Sequence, residues 1–92
     1  MQVRWSWPAA DDLERICERI ERDNPEAARR VARTVYDGCT RLEDFPHLGR
    51  SSGRVAGHRE LVFSSLPYIV VYQVTAHAVE ISRTFHGAQD WP

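Results

Sequence analysis

Four side chains carry most of the chemistry this sequence can offer: Arg59, Glu60, Arg83 and His86. Histidine titrates near neutrality, which makes His86 the best candidate for moving a proton. Arginine suits bidentate contact with a carboxylate or a phosphate, and a glutamate such as Glu60 can also relay a proton. Arg83 and Phe85 alternate with Thr84 and His86, so an ideal strand puts arginine and histidine on opposite faces. They converge only where the strand twists or ends before His86. Plainer roles exist for the same residues: Arg59 and Arg83 as ion-pair partners, Glu60 as a solvated edge residue. Nothing in the spacing suggests a metal, since no Cys-x-x-Cys or His-x-x-x-His occurs. Cys17 and Cys39 fall on apolar helix stripes, where a free thiol is a small buried hydrophobe. Ser64 and Ser65 lack a nucleophile elbow. His47, His58 and His77 fall in expected loops, where turn and solvation roles account for them. The sequence calls for no metal and no cofactor.

The elements that must position these residues have to come from 92 residues, enough for one domain over residues 1–92 with a single core. An apolar fraction of 42% and a charged fraction of 27% are those of an ordinary globular chain. No run reaches the roughly 18 apolar residues of a membrane helix. Met1-Gln2-Val3-Arg4 has no apolar stretch after its charge, so the expected location is the cytoplasm. All twelve basic residues are arginine, and thirteen acids bring the net charge to −1. A generic nucleic-acid binder would carry a positive excess, because phosphate neutralisation supplies most of its affinity. Residues 1–46 hold eight arginines and ten acids; residues 47–92 hold four arginines, three acids and all four histidines. A polar site is therefore expected in the second half.

Val3-Arg4-Trp5 alternates as a short strand does. Ser6 is an N-cap and Pro8 is tolerated in a first turn. Leu13, Ile16, Cys17 and Ile20 then recur at helical steps, predicting a helix over about residues 7–22. Asn24 caps a second helix with Pro25 at its first position; its stripe is Ala28, Val31, Ala32, Val35, Cys39 and Leu42. Gly38 inside it costs about 1 kcal/mol relative to alanine and is expected to mark a close helix crossing. The short linker folds the two helices into an antiparallel hairpin. Three extended runs come next, Arg59 to Phe63, Tyr68 to Val74 and Val79 to Phe85, joined by hairpin-length linkers. The predicted fold is α+β, in the order β-α-α-β-β-β, with the helical hairpin on a small antiparallel sheet.

One strand is apolar on both sides. Tyr68, Val70, Tyr72 and Val74 form one face, and Ile69 and Val71 the other. A single helical hairpin covers one face only. The other is expected to be sealed by the tail, through Phe85 and Trp91, or by another chain.

Several segments together resemble the RelE/ParE toxin superfamily. They are Ser6-x-x-Ala9-x-x-Asp12-Leu13-x-x-Ile16, Asn24-Pro25-x-Ala27-Ala28, and Phe45-Pro46-x-Leu48-Gly49-Arg50. The series continues with Gly57-x-Arg59-Glu60-Leu61, Pro67-Tyr68-x-x-x-Tyr72-x-Val74, and His86-Gly87-Ala88-Gln89-Asp90-Trp91-Pro92. The likeness keeps its order from Trp5 to Pro92. It departs at Trp7, where the family more often has proline after the serine. The resemblance implies the same β-α-α-β-β-β fold and the role of toxin in a bacterial type II toxin–antitoxin pair. It also implies a cognate antitoxin as partner, whose C-terminal segment wraps the toxin. The antitoxin's N-terminal half, often a ribbon–helix–helix, would be the only link to operator DNA.

The superfamily divides into RelE-like, ribosome-dependent mRNA endoribonucleases and ParE-like poisons of DNA gyrase. A metal-free ribonuclease must activate a 2′-OH, stabilise the phosphate and protonate the leaving oxygen. Arg59, Glu60, Arg83 and His86 are the catalytic candidates on that reading. RelE-like relatives usually have tyrosine right after the histidine position, where Gly87 stands here, and their lysines have no counterpart. The Gly-x-Arg-Glu-Leu strand, the Pro-Tyr-x-x-x-Tyr strand and the His-Gly-x-x-Asp-Trp-Pro tail look more like the ParE side. A gyrase poison needs a contact surface rather than an active site. The partner-contact candidates are Tyr68, Tyr72, Arg59, Arg83, Phe85 and Trp91. A third reading is an inactive remnant that only binds its antitoxin and helps repress the operon.

Overall fold

Both helices form where their caps and stripes put them. In the computed structural model, which describes residues 1–88, α1 spans Trp7–Glu21 and α2 spans Pro25–Thr40. The Ser6 hydroxyl accepts the Ala9 N–H at 3.1 Å, and the Asn24 side chain accepts the Ala27 N–H at 3.1 Å. Each satisfies an amide that the first helical turn leaves open. A 3-10 turn, Arg41–Glu43, extends α2 and buries Leu42 completely. Ala9, Val31, Val35, Cys39 and Leu42 meet Leu61, Val70, Tyr72, Val79 and Ile81 in the main core. Full burial of a valine or leucine such as Val35 or Leu42 stabilises by about 1.5–3 kcal/mol.

The sheet has five strands: β1 (Gln2–Trp5), β2 (Arg50–Ser51), β3 (Arg59–Val62), β4 (Tyr68–Val74) and β5 (Ala78–His86), in the order β1-β5-β4-β3-β2. The antiparallel meander of β3, β4 and β5 matches the three extended runs. Two features go beyond them. β1 pairs parallel with β5, Gln2 opposite Ala78 through Trp5 opposite Ile81. β2 is a two-residue strand against Arg59 and Glu60, in a stretch that has no strand pattern of its own.

Gly38 has a different cause from the expected helix crossing. A Cβ there would lie 2.6 Å from the Phe63 ring and 3.5 Å from Leu61, so the close approach is between α2 and the end of β3. Gly49 is similarly confined: a Cβ would sit 2.7 Å from the Glu60 carbonyl oxygen and 2.8 Å from the Tyr72 ring.

Of the two covers expected for the second face, another chain is not required, and the tail beyond residue 88 lies outside the described residues. Ile69, Val71 and Phe85 form a second buried cluster on the face away from the helices, already enclosed within this chain. Among the described residues its cover is the segment between β2 and β3. Arg54 stacks 4.8 Å above the Phe85 ring and donates to the Gly87 carbonyl at 3.1 Å. Trp91 lies outside the described residues.

β5 carries a bulge at Ser82: Tyr72 pairs with Ile81, and Val71 already with Arg83. The extra residue meets the start of α1. Ser6 donates its N–H to the Ile81 carbonyl at 2.9 Å and its hydroxyl to the Ser82 carbonyl at 3.0 Å. A bulge bends its strand and re-aims the side chains on its far side. Among the described residues no helix is long and apolar enough to cross a membrane.

Candidate functional site

Beyond Trp5, β1 no longer covers β5, and the bare edge after the bulge forms one wall of a cleft of about 490 Å³. α1 supplies the opposite wall with Asp12, Arg15, Ile16 and Arg19; Tyr68, Arg83 and His86 complete it. Asp12 does two jobs. Its carboxylate takes Arg83 in a fork, Nε at 2.7 Å and Nη2 at 2.9 Å, and accepts the edge amide of Thr84 at 3.0 Å. Hydrogen bonding to Asp12, helped by the charges of Asp12 and Asp11, raises the Arg83 pKa further despite partial burial. A fork of this kind fixes guanidinium geometry as well as charge. The Arg83 side chain keeps 40% of its surface exposed.

His86 lies opposite Tyr68 in the β4–β5 register, with the two rings edge to face at 5.6 Å. Its Nδ1 is 3.0 Å from the Ala88 N–H and accepts from it, which places the proton of a neutral ring on Nε2. The strand runs through His86 rather than ending before it. Arg83 and His86 nevertheless share the cleft, because it opens at the strand's edge, where Asp12 draws the Arg83 fork.

Arg59 and Glu60 do not join them. Arg59 is tied to the loop before β2, donating to the Gly49 carbonyl at 2.8 Å and the His47 carbonyl at 3.2 Å. Glu60 is 2% exposed, which overturns its reading as a solvated edge residue. It accepts from Arg50 Nη2 at 2.9 Å and from the Ser52 hydroxyl at 2.8 Å. Burial pushes its pKa up, but the hydrogen bonds from Ser52 and Arg50 and the charges of Arg50 and Arg54 outweigh burial and hold it below the ordinary range. Glu60 is thus a structural anchor of the segment that covers the second face.

Two of the partner-contact candidates, Tyr72 and Phe85, are buried. Tyr72 is fully enclosed; its hydroxyl donates to the Pro46 carbonyl and accepts the Gly49 N–H, both at 2.8 Å. Phe85 is 3% exposed beneath Arg54. Tyr68, half-buried at the cleft, keeps a surface to offer.

A second surface was not legible in the motifs. Where α1 and α2 meet the end of β1, Trp5, Ala10, Leu13, Cys17, Ala32 and Tyr36 line an almost wholly apolar trough of about 370 Å³, with Glu14 at its side. Tyr36 is 60% exposed, and Trp7, one helical turn before Ala10, is 83% exposed. The signal that could have found it is the presence of these two aromatics off the core-facing stripes of α1 and α2. The cleft roles of Asp12, Arg15 and Arg19 were not legible either: Asp12 stands in a segment of the family resemblance with no role attached, and the two arginines belong to no motif. Both thiols behave as packing groups: burial lifts Cys39 to about 12, and burial with the nearby charge of Glu21 raises Cys17. Among the described residues no cluster of His, Cys, Asp and Glu could hold a metal ion.

Comparison with known proteins places this geometry in context. The family model described as ParE toxin of type II toxin–antitoxin system, parDE, matches residues 3–91. The Y4kP protein of Sinorhizobium fredii, whose name describes it as a toxin, is 37% identical over 91 residues, covering 99% of this chain and 93% of its own. Toxin RelE2 of Caulobacter vibrioides is 36% identical over 88 residues, covering 96% and 97%. Among solved structures, a chain of the chromosomal ParDE toxin–antitoxin system of P. aeruginosa superposes with a TM-score of 0.83 at 25% identity, covering 94% of this chain and 95% of that one.

Proposed function

This chain belongs to the ParE toxin family of type II toxin–antitoxin systems, and from that premise we propose that it arrests growth by binding DNA gyrase and is kept inactive by a cognate antitoxin. The observation that carries the gyrase reading is the separation of the four candidate catalytic residues. Glu60 is consumed in a buried anchor and Arg59 in a loop tie, so neither reaches the cleft that holds Arg83 and His86. What remains at that cleft is a contact surface: Arg15, Arg19 and Arg83 with an aromatic pair, Tyr68 and His86. Such a surface suits a poison that acts by holding a target in one state.

The antitoxin belongs on the hairpin trough, an almost wholly apolar concave floor beside which Tyr36 stands open. A ribbon–helix–helix or similar half of the antitoxin carries the pair to operator DNA, and the toxin works in the cytoplasm.

One observation favours the ribonuclease alternative. The His86 ring, with Nδ1 engaged by Ala88 and the proton of its neutral form therefore on Nε2, lines a cleft that also holds an oriented arginine. That is a fit arrangement for protonating a leaving oxygen beside a phosphate.

Induced expression without the antitoxin decides among these readings. On the gyrase reading, growth stops with DNA breaks, and gyrase cleavage complexes accumulate in vitro. Codon-positioned mRNA cuts that disappear in His86→Ala would establish the nuclease instead. Unaffected growth would leave only an antitoxin-binding corepressor.

A further inference from the structure

The segment between β2 and β3 meets the turn after β5 behind the sheet, and Arg54 joins the two. It touches both chain neighbours of His86. Its guanidinium lies 4.8 Å above the Phe85 ring, and its Nη2 donates to the Gly87 carbonyl at 3.1 Å. Gly87 is held from a second side, since its N–H donates to the Pro67 carbonyl at 2.7 Å. A Cβ on Gly87 would lie 3.2 Å from that same oxygen and 3.3 Å from the Ile69 side chain, so the turn is closely packed. Phe85 belongs to the rear cluster, and His86, the next residue of the strand, lines the cleft. The backbone from which the imidazole projects is thus fixed at Phe85 and at Gly87 by the same arginine. The ring then takes its own contacts, Tyr68 edge to face at 5.6 Å and the Ala88 N–H on Nδ1 at 3.0 Å.

Arg54 is itself held. The Ser52 hydroxyl accepts the N–H groups of Arg54 at 3.1 Å and Val55 at 3.0 Å while donating to the Glu60 carboxylate at 2.8 Å. One path of contacts therefore runs from buried Glu60 through Ser52 and Arg54 to the turn that carries His86. Covering an apolar cluster does not require this: an aliphatic side chain over Phe85 would bury apolar surface without reaching Gly87. We infer that Arg54 is a positioning residue for the cleft: from behind the sheet it fixes the placement of His86, and with it the His86–Tyr68 pair that the target meets. Glu60, which does not line the cleft, acts on it through Ser52 and Arg54. Side chains that recognise a target need neighbours whose own positions are locked. The inference rests on the reading of the cleft as the gyrase contact and deepens it.

The experiment uses the full chain and two measurements. Nuclear magnetic resonance reads the cleft through the ring contacts of His86 with Tyr68 and the shifts of the His86 ring protons. Gyrase cleavage complexes formed in vitro read its use. In Arg54→Ala the ring contacts are expected to be lost and the His86 shifts to move toward those of a solvated imidazole. The toxin concentration for half-maximal cleavage is expected to rise about three- to tenfold, as when side chains at an interface lose their ordering. Arg54→Lys, which keeps a charge and a donor, is expected to recover part of both. Ser52→Ala is expected to show the Arg54→Ala pattern in smaller measure, and it decides by the same criteria should Arg54→Ala fail to fold. Val31→Ala, a truncation in the main core, is expected to lower stability and leave both readouts unmoved, which separates positioning from general loosening. An unmoved His86–Tyr68 pair in Arg54→Ala would overturn the inference, and so would full potency on gyrase with the pair displaced; in both cases the gyrase reading would stand. If the unaltered chain formed no cleavage complexes, that reading would fall, and the resonance measurement would still decide whether Arg54 positions His86.

Discussion

The two sides of this molecule treat their apolar surface in opposite ways. Behind the sheet, Val71 and Phe85 are enclosed within the chain, under a segment that is pinned by the Glu60 carboxylate and stacked through Arg54. On the hairpin, Trp7 and Tyr36 stand in solvent beside an open trough. Both regions carry large apolar side chains, so hydrophobicity alone does not decide which of them is buried. What tells them apart is whether the chain supplies its own lid and satisfies that lid's polar groups.

The sharpest way to break this contrast is to remove one aromatic ring from each environment. Phe85→Ala is expected to cost about 3–5 kcal/mol, the range for emptying an aromatic site in a core. Trp7→Ala should change stability by less than about 0.5 kcal/mol, as surface positions do. Urea titrations of both variants test the pair, and a large loss for Trp7→Ala would show that the ring supports the fold rather than a partner.

Next in size is Gly49→Ala. The new methyl would meet the Glu60 carbonyl at 2.7 Å and the Tyr72 ring at 2.8 Å, and overpacking of this kind costs about 1–3 kcal/mol. Thermal unfolding should register it, while the trough, remote from this loop, keeps its affinity for the antitoxin.

Glu60→Gln removes the charge from the anchor while keeping its shape, with an expected loss of about 1–2 kcal/mol at neutral pH. The pH dependence has a definite sign. Because the folded carboxyl titrates below its ordinary value of 4.5, the unfolded chain binds the extra proton first. The contribution of Glu60 is complete above that value and is lost as the pH falls through the lower, folded pKa. Stability of the natural chain should therefore drop across this acid window more steeply than that of Glu60→Gln. Parallel curves would mean that the second face is held by something other than this anchor.

The smallest effect is kinetic. Cys39, buried and lifted to about 12, should resist alkylation until the chain unfolds, whereas Cys17, half-buried in the trough, should react slowly in the native state. Bound antitoxin should protect Cys17. Peptide mapping after iodoacetamide treatment reads both, and labelling of Cys17 at an undiminished rate in the complex would place the antitoxin elsewhere.

Local patterns were legible where local physics decides them. Ser6 and Asn24 announced the helix starts, the stripes announced the buried faces, and alternation announced β3 to β5. The parallel pairing of β1 with β5 was not legible, because nothing in residues 2–5 names a partner so distant in sequence. Nor was the Ser82 bulge, which exists to meet Ser6, or β2, which is too short to carry a pattern. Gly38 is a site of close approach, as its place in a helix suggested, but its neighbour is Phe63 rather than α1. In the candidate site, the residues of chemical promise were visible and their grouping was not. Asp12 settles that Arg83 joins His86, and the buried contacts of Glu60 with Arg50 and Ser52 settle that Glu60 does not.

The parallel seam between β1 and β5 also has a consequence for timing. Ser6 and Ser82 are bonded across 76 residues of chain, so the sheet cannot close until the last strand has cleared the ribosome, and closing so distant a contact is intrinsically slow. A nascent toxin of this design completes its sheet only after its own synthesis, which leaves an antitoxin the whole of translation to be in place first.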